Sequence, residues 1–369
     1  MMKLHIKKQI LDETLEIVSK YTDPINSLYG FRCILIKVDN EKVTFSASNG
    51  VISIVKSLDV EDVDIKVEET GTFLIQANIF KAIIKKLSET ITLSQEYSTT
   101  LEISQGNSNY SLTTNPINSF PQIEENINLK KIEIDTNEFK KAIRCTAFAV
   151  SQDASLVYKC INFKFKNNKL NLTATDAARL AYYTMDLKSS QVDNEEFSVN
   201  NKDVKDLIPA DASKKVTLFF NRIKIGIEYK NTVITSRIVD LPYPDVESLF
   251  ASIDIENKIF IKKEEINDLI NKVWLGTSDK QNRLEFTINK NEITVLNRLN
   301  EIGTSIAKTE NFKFEGKAFE FDINYHFLKD ALSVFEGDVL ILFDKSVQKI
   351  LVVSDSNKES KQLVTPMRR

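Results

Sequence analysis

The chain has 369 residues, of which 42% are hydrophobic and 27% are charged, and its formal net charge is −3. This length is too great for one ordinary hydrophobic core and indicates two or three domains of a globular protein. The small negative charge excludes a protein that is basic throughout, so any contact with DNA has to come from a local patch.

Few residues suit a disulfide framework, a metal site or a membrane segment. The three cysteines match no such framework or metal spacing, and the two histidines, His5 and His326, lie far apart in the sequence. The first eight residues lack the apolar region of a signal peptide, and no apolar run approaches the length of a membrane span. We therefore expect a cytoplasmic protein with no metal, no cofactor and no membrane contact.

A short apolar strand followed by an amphipathic helix occurs three times along the chain. The strands are centred near Ile6, Ile134 and Ile261, which are 128 and 127 residues apart. The helices are predicted over residues 8–21, 138–150 and 264–276. Repetition at a fixed period indicates copies of one structural unit.

The three predicted helices share one apolar stripe. In the second helix the stripe is Phe139, Ala142, Ile143, Thr146 and Ala147, with the spacing i, i+3, i+4, i+7, i+8. This spacing is typical of a helix that packs one face on a sheet. The same register holds Ile266, Leu269, Ile270, Val273 and Trp274 in the third helix, and Leu11, Thr14, Leu15, Val18 and Ser19 in the first.

A second landmark repeats with nearly the same period. Phe73, Phe197 and Phe321 each open a strand that leads into a short helix, and both steps are 124 residues long. The short helices are predicted over 79–87, 204–208 and 327–335. Two landmarks with one period predict three domains, at residues 1–127, 128–255 and 256–369. The fold class is α+β, with helices packed on antiparallel sheets.

A hairpin is predicted in the middle of the chain. Leu170, Leu172 and Ala174 alternate with polar residues as in a half-buried strand, Asp176 interrupts the alternation, and a second strand starts at Leu180. From the alternation alone, this segment is a hairpin and nothing more.

Two motifs carry a family resemblance. The string TATDAARLA at residues 173–181 resembles the TATDxxRLA signature of the bacterial DNA polymerase III beta subunit, the beta sliding clamp. The chain also ends in LVTPMRR, which is similar to the (V/M)xPMR terminus of that family. The resemblance extends over the whole chain, because that family also has three such domains. It implies that two chains join head to tail in a ring that encircles DNA, with helices lining the hole and antiparallel sheets outside.

The resemblance further implies one surface pocket for peptides of partner proteins, and we expect it to bind a short peptide with a Gln followed by spaced Leu and Phe. Ala178 stands where the family often has an aromatic residue or histidine, and Ser248 where it often has arginine, which predicts a smaller-walled or less basic groove. The implied pocket residues are Tyr158, Thr175, Ala177, Ala178, Arg179, Leu180, Pro244, Ser248, Leu249, Leu363, Val364, Thr365, Pro366, Met367 and Arg368. Removal of residues 363–369 is expected to abolish peptide binding and to leave the fold intact.

Basic residues away from the apolar stripes are candidate contacts to DNA phosphates. Gln152 matches a DNA-contacting glutamine of the family, whereas Asp23 replaces the basic residue that the family often has there, so Lys20 is taken as a substitute. The candidate DNA-facing residues are Lys20, Lys81, Lys85, Lys86, Lys140, Lys141, Arg144, Gln152, Lys202 and Lys205. A basic helix face that is simply solvated is the alternative.

The same resemblance places Tyr110 at a subunit interface, opposite Trp274 and Leu275. It implies a homodimer that binds duplex DNA without sequence preference, and partners that include the replicative polymerase, the clamp loader and other proteins with a clamp-binding motif. Two alternatives remain open, a three-repeat scaffold without a DNA role and, with less support, an enzyme that uses Asp176 and Arg179. The chain has no glycine-rich phosphate loop, nucleophile elbow or metal cluster to support an enzyme.

Overall fold

The computed structural model describes residues 2–60, 63–97, 99–123, 128–152, 155–187, 192–276, 282–299 and 302–368. The chain forms two compact units, Met1–Thr136 with Lys202–Ile238, and Asn137–Asn201 with Val239–Arg369. None of the described helices is long and apolar enough to cross a membrane.

The described residues of the first third of the chain form two α-helices and nine strands. The helices are α1 (Lys8–Val18) and α2 (Ala77–Ile84). The strands are β1 (Met2–Lys7), β2 (Cys33–Val38), β3 (Lys42–Ser48), β4 (Ile52–Asp59), β5 (Ile65–Glu69), β6 (Gly71–Gln76), β7 (Thr90–Gln95), β8 (Thr100–Gln105) and β9 (Ser108–Thr113).

The middle third follows the same plan. Its helices are α3 (Thr136–Thr146), α4 (Asn201–Asp206) and α5 (Val246–Ala251), the last of which precedes the third copy. Its strands are β10 (Lys130–Asp135), β11 (Cys160–Lys166), β12 (Lys169–Thr175), β13 (Arg179–Asp186), β14 (Glu195–Asn200), β15 (Lys215–Phe220), β16 (Lys224–Tyr229) and β17 (Thr232–Arg237).

The last third completes the chain. Its helices are α6 (Lys263–Val273) and α7 (Tyr325–Ser333). Its strands are β18 (Ile255–Lys262), β19 (Arg283–Ile288), β20 (Ile293–Leu299), β21 (Gly303–Thr309), β22 (Phe312–Glu315), β23 (Phe319–Asn324), β24 (Asp338–Asp344), β25 (Ile350–Val353) and β26 (Ser360–Val364).

Strand pairing confirms the threefold repeat. The opening strand of each copy pairs antiparallel with the strand after the second helix, in β1–β7, β10–β15 and β18–β24. The strand before the second helix pairs with an earlier strand of its copy in the same way, in β2–β6, β11–β14 and β19–β23. The predicted domain boundaries themselves stay a prediction.

Two large sheets extend across neighbouring copies. In the first unit, β17 pairs with β4 and completes an eight-stranded sheet of order β10-β15-β16-β17-β4-β3-β2-β6. In the second unit, β13 pairs with β26 and completes a nine-stranded sheet of order β14-β11-β12-β13-β26-β25-β24-β18-β22. Each unit has one further sheet, β5-β1-β7-β8-β9 in the first and β21-β20-β19-β23 in the second.

The helical stripes are buried as their spacing predicts. Phe139, Ala142 and Thr146 are fully buried in α3, and the corresponding residues of α1 and α6 are also in the core. The helix predicted over residues 138–150 was too long at its C-terminal end. The α-helix α3 ends at Thr146, and a 3-10 turn follows. There the Thr146 hydroxyl donates to the carbonyl oxygen of Ala142 at 2.9 Å, a back-bond that bends or ends helices.

Removal of residues 363–369 was expected to leave the fold intact, and the positions of residues 363 and 364 argue against this. Residues 363 and 364 belong to β26, which lies inside the nine-stranded sheet between β13 and β25. Leu363 is 6% exposed and Val364 is 1% exposed. Only the residues after Val364 follow the last strand.

This placement predicts that two truncations differ sharply. A chain that ends at Val364 keeps β26 and should unfold with a transition close to that of the intact chain. A chain that ends at Glu359 loses two buried apolar side chains and exposes two strand edges, so we expect aggregation or loss of the cooperative transition. Thermal unfolding followed by circular dichroism measures both; equal melting curves would contradict the central position of β26.

Candidate functional site

The hairpin turn after β12 is organised by one carboxylate. Asp176 accepts hydrogen bonds from the backbone N–H groups of Ala178 and Arg179 at 3.0 and 2.9 Å. The Thr175 hydroxyl donates to the Arg179 carbonyl at 2.6 Å and accepts from the Ala177 N–H. Ala177 has a φ of 75°, a conformation that only glycine adopts without strain. The turn is therefore held in a fixed shape by its own polar side chains.

The C-terminal segment is bonded to this turn. The carbonyl of Ala178 accepts from both the N–H and the hydroxyl of Thr365, at 2.9 and 2.7 Å. Further along, the Met367 N–H donates to the Asp322 carbonyl at 2.7 Å, and Arg283 donates to the Arg368 carbonyl at 3.1 Å. Thr365, Pro366 and Met367 are half-buried as a result.

An apolar cluster lies beside these bonds. Leu180 pairs in register with Leu363, and both pack with Val246 of α5. Around them are half-buried Tyr182, Tyr243, Phe250, Ile253 and Leu351. We call this set the apolar cluster. The sequence analysis identified Leu180 and Leu363 and missed Leu351 and the aromatic residues, although the alternation of β13 from Leu180 leads directly to Tyr182.

Helix α5 brings the remaining candidate residues to the cluster. Asp245 caps its first turn by accepting from the Ser248 N–H at 3.3 Å. Lys164 and Lys166 bond to the Glu247 carboxylate at 2.9 and 3.0 Å and lower its pKa. Leu249 is 36% exposed on this helix. The other candidate residues here are exposed Ser248 and half-buried Pro244 and Tyr158.

Val364 does not belong to this surface. Its neighbour Leu363 contacts the apolar cluster, whereas the side chain of Val364 is buried in the core of the third copy. Adjacent residues of a strand point to opposite faces, so only one of the two can reach the cluster. The prediction that Val364 is a pocket residue was therefore wrong, because its side chain lies in the core.

The guanidinium of Arg179 is engaged in a network of contacts. It donates to Asp176 at 3.0 Å, to the Phe148 carbonyl at 2.7 Å and to Asp330 of α7 at 2.5 Å. It also lies 4.5 Å from the centre of the Phe327 ring, a cation–π contact. The Arg179 side chain is only 13% exposed. These contacts fix the turn to α7, and the partners, up to 151 residues away, leave no sequence signal.

The candidate basic residues of the first unit differ in their surroundings. Glu16 bonds to Lys81 at 2.7 Å and to Lys85 at 2.5 Å, and these bonds lower its pKa to about 2. Glu16 therefore stays ionised over the ordinary pH range, and its negative charge offsets part of the positive charge of the two lysines. Lys20, Lys86, Lys202 and Lys205 are exposed.

The candidate polar contacts of the second unit lie on or just after α3. Lys140, Arg144 and Gln152 are exposed. Lys141 is 4.0 Å from Glu359 and 5.6 Å from the centre of the Tyr183 ring. The structure thus leaves the first three side chains open to solvent.

The candidate interface residues lie at or beside sheet edges. Tyr110 is half-buried on β9, the last strand of the five-stranded sheet. Trp274 follows α6 and stacks on Tyr325 at a ring distance of 4.5 Å, and Leu275 is 39% exposed. Helix α6 packs beside β21, an edge strand on which Ile306 is 58% exposed. In the described part of the chain no strand covers the outer edge of β9 or of β21.

Comparison with family models gives three adjacent matches. Residues 2–124 match the N-terminal domain of the DNA polymerase III beta subunit, residues 133–245 its central domain and residues 253–368 its C-terminal domain. The chain belongs to the DNA polymerase III beta subunit family. As a member of this family it is a DNA sliding clamp, a non-catalytic processivity factor.

Individual relatives are similar to this chain over their full length. The beta sliding clamp of Mycoplasmopsis pulmonis is 29% identical over 375 residues, and that of Bacillus subtilis is 26% identical over 380 residues, with 100% of both chains covered in each case. The solved structure of the Bacillus subtilis sliding clamp has a TM-score of 0.93 at 24% identity, covering 100% of this chain and 99% of that one. The subunit beta structure from Pseudomonas aeruginosa has a TM-score of 0.92 at 20% identity, covering both chains completely.

Family membership decides between the alternatives that the sequence left open. A sliding clamp needs no catalytic pair, and the contacts of Asp176 and Arg179 give both residues structural roles in the turn. Within the described ranges, no group of three or more histidine, cysteine, aspartate or glutamate residues could hold a metal ion.

Replacing Arg179 should disturb the hairpin turn without removing any side chain of the apolar cluster. Arg179→Ala leaves Asp330 and Asp176 without their cation, which typically costs about 2–4 kcal/mol for a mostly buried pair. We expect lower stability in urea and weaker binding of a peptide with a Gln followed by spaced Leu and Phe. Arg222→Ala, at an exposed turn, is the control. Unchanged stability in Arg179→Ala would show that the network is unimportant.

Proposed function

We propose that two copies of the chain form a closed ring around duplex DNA. The observation that supports this most is the pair of uncovered edge strands, β9 and β21, each with an exposed or half-exposed apolar residue. An uncovered edge readily pairs with another strand, and two different edges on one chain give a head-to-tail contact that closes by rotation. Tyr110 would then lie near Trp274 and Leu275 of the second copy.

The apolar cluster and its surroundings are proposed as the docking surface for partner proteins. Leu249, on the helix that carries Val246, is 36% exposed, and Pro366 and Met367, which follow the strand that carries Leu363, are half-buried. The turn at Ala178 is bonded to Thr365 between them. Short peptides bind such sites through a few apolar anchors, and a flexible methionine adapts to several of them. The expected partners are the replicative polymerase, the clamp loader and other proteins with a clamp-binding motif. We place this function in the cytoplasm, where bacterial DNA is replicated.

The protein would stay on DNA mainly because a closed ring encircles the duplex, and not because it binds the duplex tightly. A net charge of −3 does not favour tight binding, and phosphate contacts by exposed lysines carry no sequence information. Residues such as Lys20, Lys86, Lys140, Arg144 and Gln152 would form a weak lining that lets the duplex slide.

Loading on a nicked circle tests the ring directly. The protein should stay on the circle at a salt concentration that abolishes binding to a short linear duplex, and it should leave when the circle is cut. Ile306→Asp, on the β21 edge, should halve the mass in light scattering from twice 42.1 kDa and remove retention. Lys290→Glu, at an exposed turn, is the matched control. Retention on linearised DNA with free ends would contradict the proposal.

The Glu16 pairs predict a gain of DNA affinity by mutation. Glu16→Gln releases Lys81 and Lys85, so direct binding to a linear duplex should become tighter. Its dependence on salt should also become steeper, by up to about 1.8 log units per log unit of salt if both lysines reach phosphates. Glu13→Gln, one turn away and exposed, controls for the change in net charge. Equal effects of the two variants would place Lys81 and Lys85 away from DNA.

A further inference from the structure

A second groove lies on the nine-stranded sheet, outside the proposed peptide surface. It has a volume of about 1120 Å³. Its floor contains Phe260, Leu340 and Val353, which alternate along their strands with buried core residues such as Ile259 and Ile341. The floor is therefore the face of the sheet turned away from the core of the third copy.

The floor residues form a straight row across the strands. Val353 pairs in register with Leu340, Leu340 with Phe260, and Phe260 with Lys313. The pairing of Val352 with Gln362 also brings Val353 beside Lys361. The row thus has three apolar side chains in the centre and a lysine at each end. Four strand spacings separate the two lysines, which is about 19 Å.

The apolar centre of the row is accessible. Phe260 is 39% exposed, although its strand β18 is paired on both sides, and Leu340 and Val353 are half-buried. Loops at the strand ends form the walls, at residues 310–312, 336–338 and 354–358. An exposed phenylalanine in a walled groove is unusual for a surface that contacts only water.

The charges around the groove are unevenly matched. Glu336 pairs with Lys263 at 3.1 Å and Asp355 with Lys358 at 3.2 Å, and Asp338 lies opposite Lys262 in register. Glu310 and Glu315 also line the groove, and Glu315 pairs with Lys258 at 3.6 Å.

The two lysines at the ends of the row are not engaged in ion pairs like those of the wall residues Glu336 and Asp355 in the described part of the chain. Lys313 has no ion-pair partner within the described ranges, and the contact found for Lys361 is a cation–π contact with Phe250 at 5.5 Å. The ends of the row therefore offer two cations to a ligand.

The groove is continuous with the proposed peptide surface. Phe250 and Tyr182 belong to the apolar cluster, and Lys361 pairs with Tyr182 in register and lies over the Phe250 ring. Leu351, also in the cluster, lies on the same face as Val353, two residues along β25. A peptide that leaves the cluster needs to travel only about 7 Å along the strands to reach the row.

We propose that this groove binds a second segment of the partner protein that docks on the apolar cluster. The segment would be extended, with apolar residues between two carboxylates about six residues apart, since an extended chain rises about 3.3 Å per residue. Its carboxylates match Lys361 and Lys313, and its apolar residues cover Phe260, Leu340 and Val353. This inference rests on the proposed function for its first anchor, and the test below separates the two.

Labelled peptides test the second segment on the intact protein. The anchor peptide has a Gln followed by spaced Leu and Phe. The extended peptides add, through a Gly-Ser linker at either end, six residues that begin and end with glutamate and are apolar between. We expect one extended peptide to bind about tenfold tighter than the anchor, and a version with glutamine in place of glutamate to lose most of that gain. Joining two contacts raises affinity through effective concentration.

Variants assign the gain to the groove. Lys313→Glu and Phe260→Ser should each remove it and leave the anchor affinity unchanged, while Lys290→Glu should keep it. Two variants of different chemistry guard against a folding defect in either one, which circular dichroism would reveal. The proposal is overturned if neither extension gains affinity, or if the gain survives both groove variants.

A failure of the anchor is a separate result. Leu249→Asp should abolish anchor binding and thereby tests the peptide surface itself. If the anchor does not bind the wild-type protein, the glutamate-ended segment is titrated alone at millimolar concentration. Binding that Lys313→Glu removes would support the groove, and absence of binding would overturn it.

Discussion

The pairing of β26 with β13 is the contact on which the second unit depends. It joins strands of the second and third copies into one sheet, and it places Leu363 against Leu180. Both faces of β26 are used, because Leu363 contacts the apolar cluster while Val364 is buried in the core of the third copy. A strand so placed is both part of the fold and part of the candidate binding surface. Thr365 and Met367, which follow β26, are held by backbone bonds to Ala178 and Asp322.

Polar contacts then set the shape of the surface that the apolar contacts create. Asp176 fixes the turn, and Arg179 connects it to α7 through Asp330 and to the Phe148 carbonyl. A buried arginine with several donors satisfied holds its neighbours in one geometry more firmly than apolar contacts alone. The small side chain of Ala178 adds little bulk to the proposed peptide surface. Its contribution comes from its backbone carbonyl, which accepts two hydrogen bonds from Thr365.

In the proposed ring, the charges of the molecule would make weak, general contact with DNA. Glu16 neutralises part of the lysine pair at Lys81 and Lys85, and the net charge is slightly negative. Strong attraction to phosphates would slow a protein that has to slide, whereas closure of a ring needs no such attraction. In the proposed ring, the edge strands β9 and β21 would offer backbone groups and a few apolar side chains to a second copy.

The sequence by itself determined the repeat, the helices and much of the candidate site. Periodic apolar residues such as Phe139 and Ile270 have to be buried whatever the neighbours are, so the copies and their helices could be predicted. The hairpin at Asp176 was also local and predictable. Only the tertiary structure decided that β26 is an interior strand, that Arg179 reaches Asp330, and that Phe260 and Lys313 share a row. Those contacts join residues far apart in the chain, and strand order depends on the energy of the whole sheet, which no local pattern encodes.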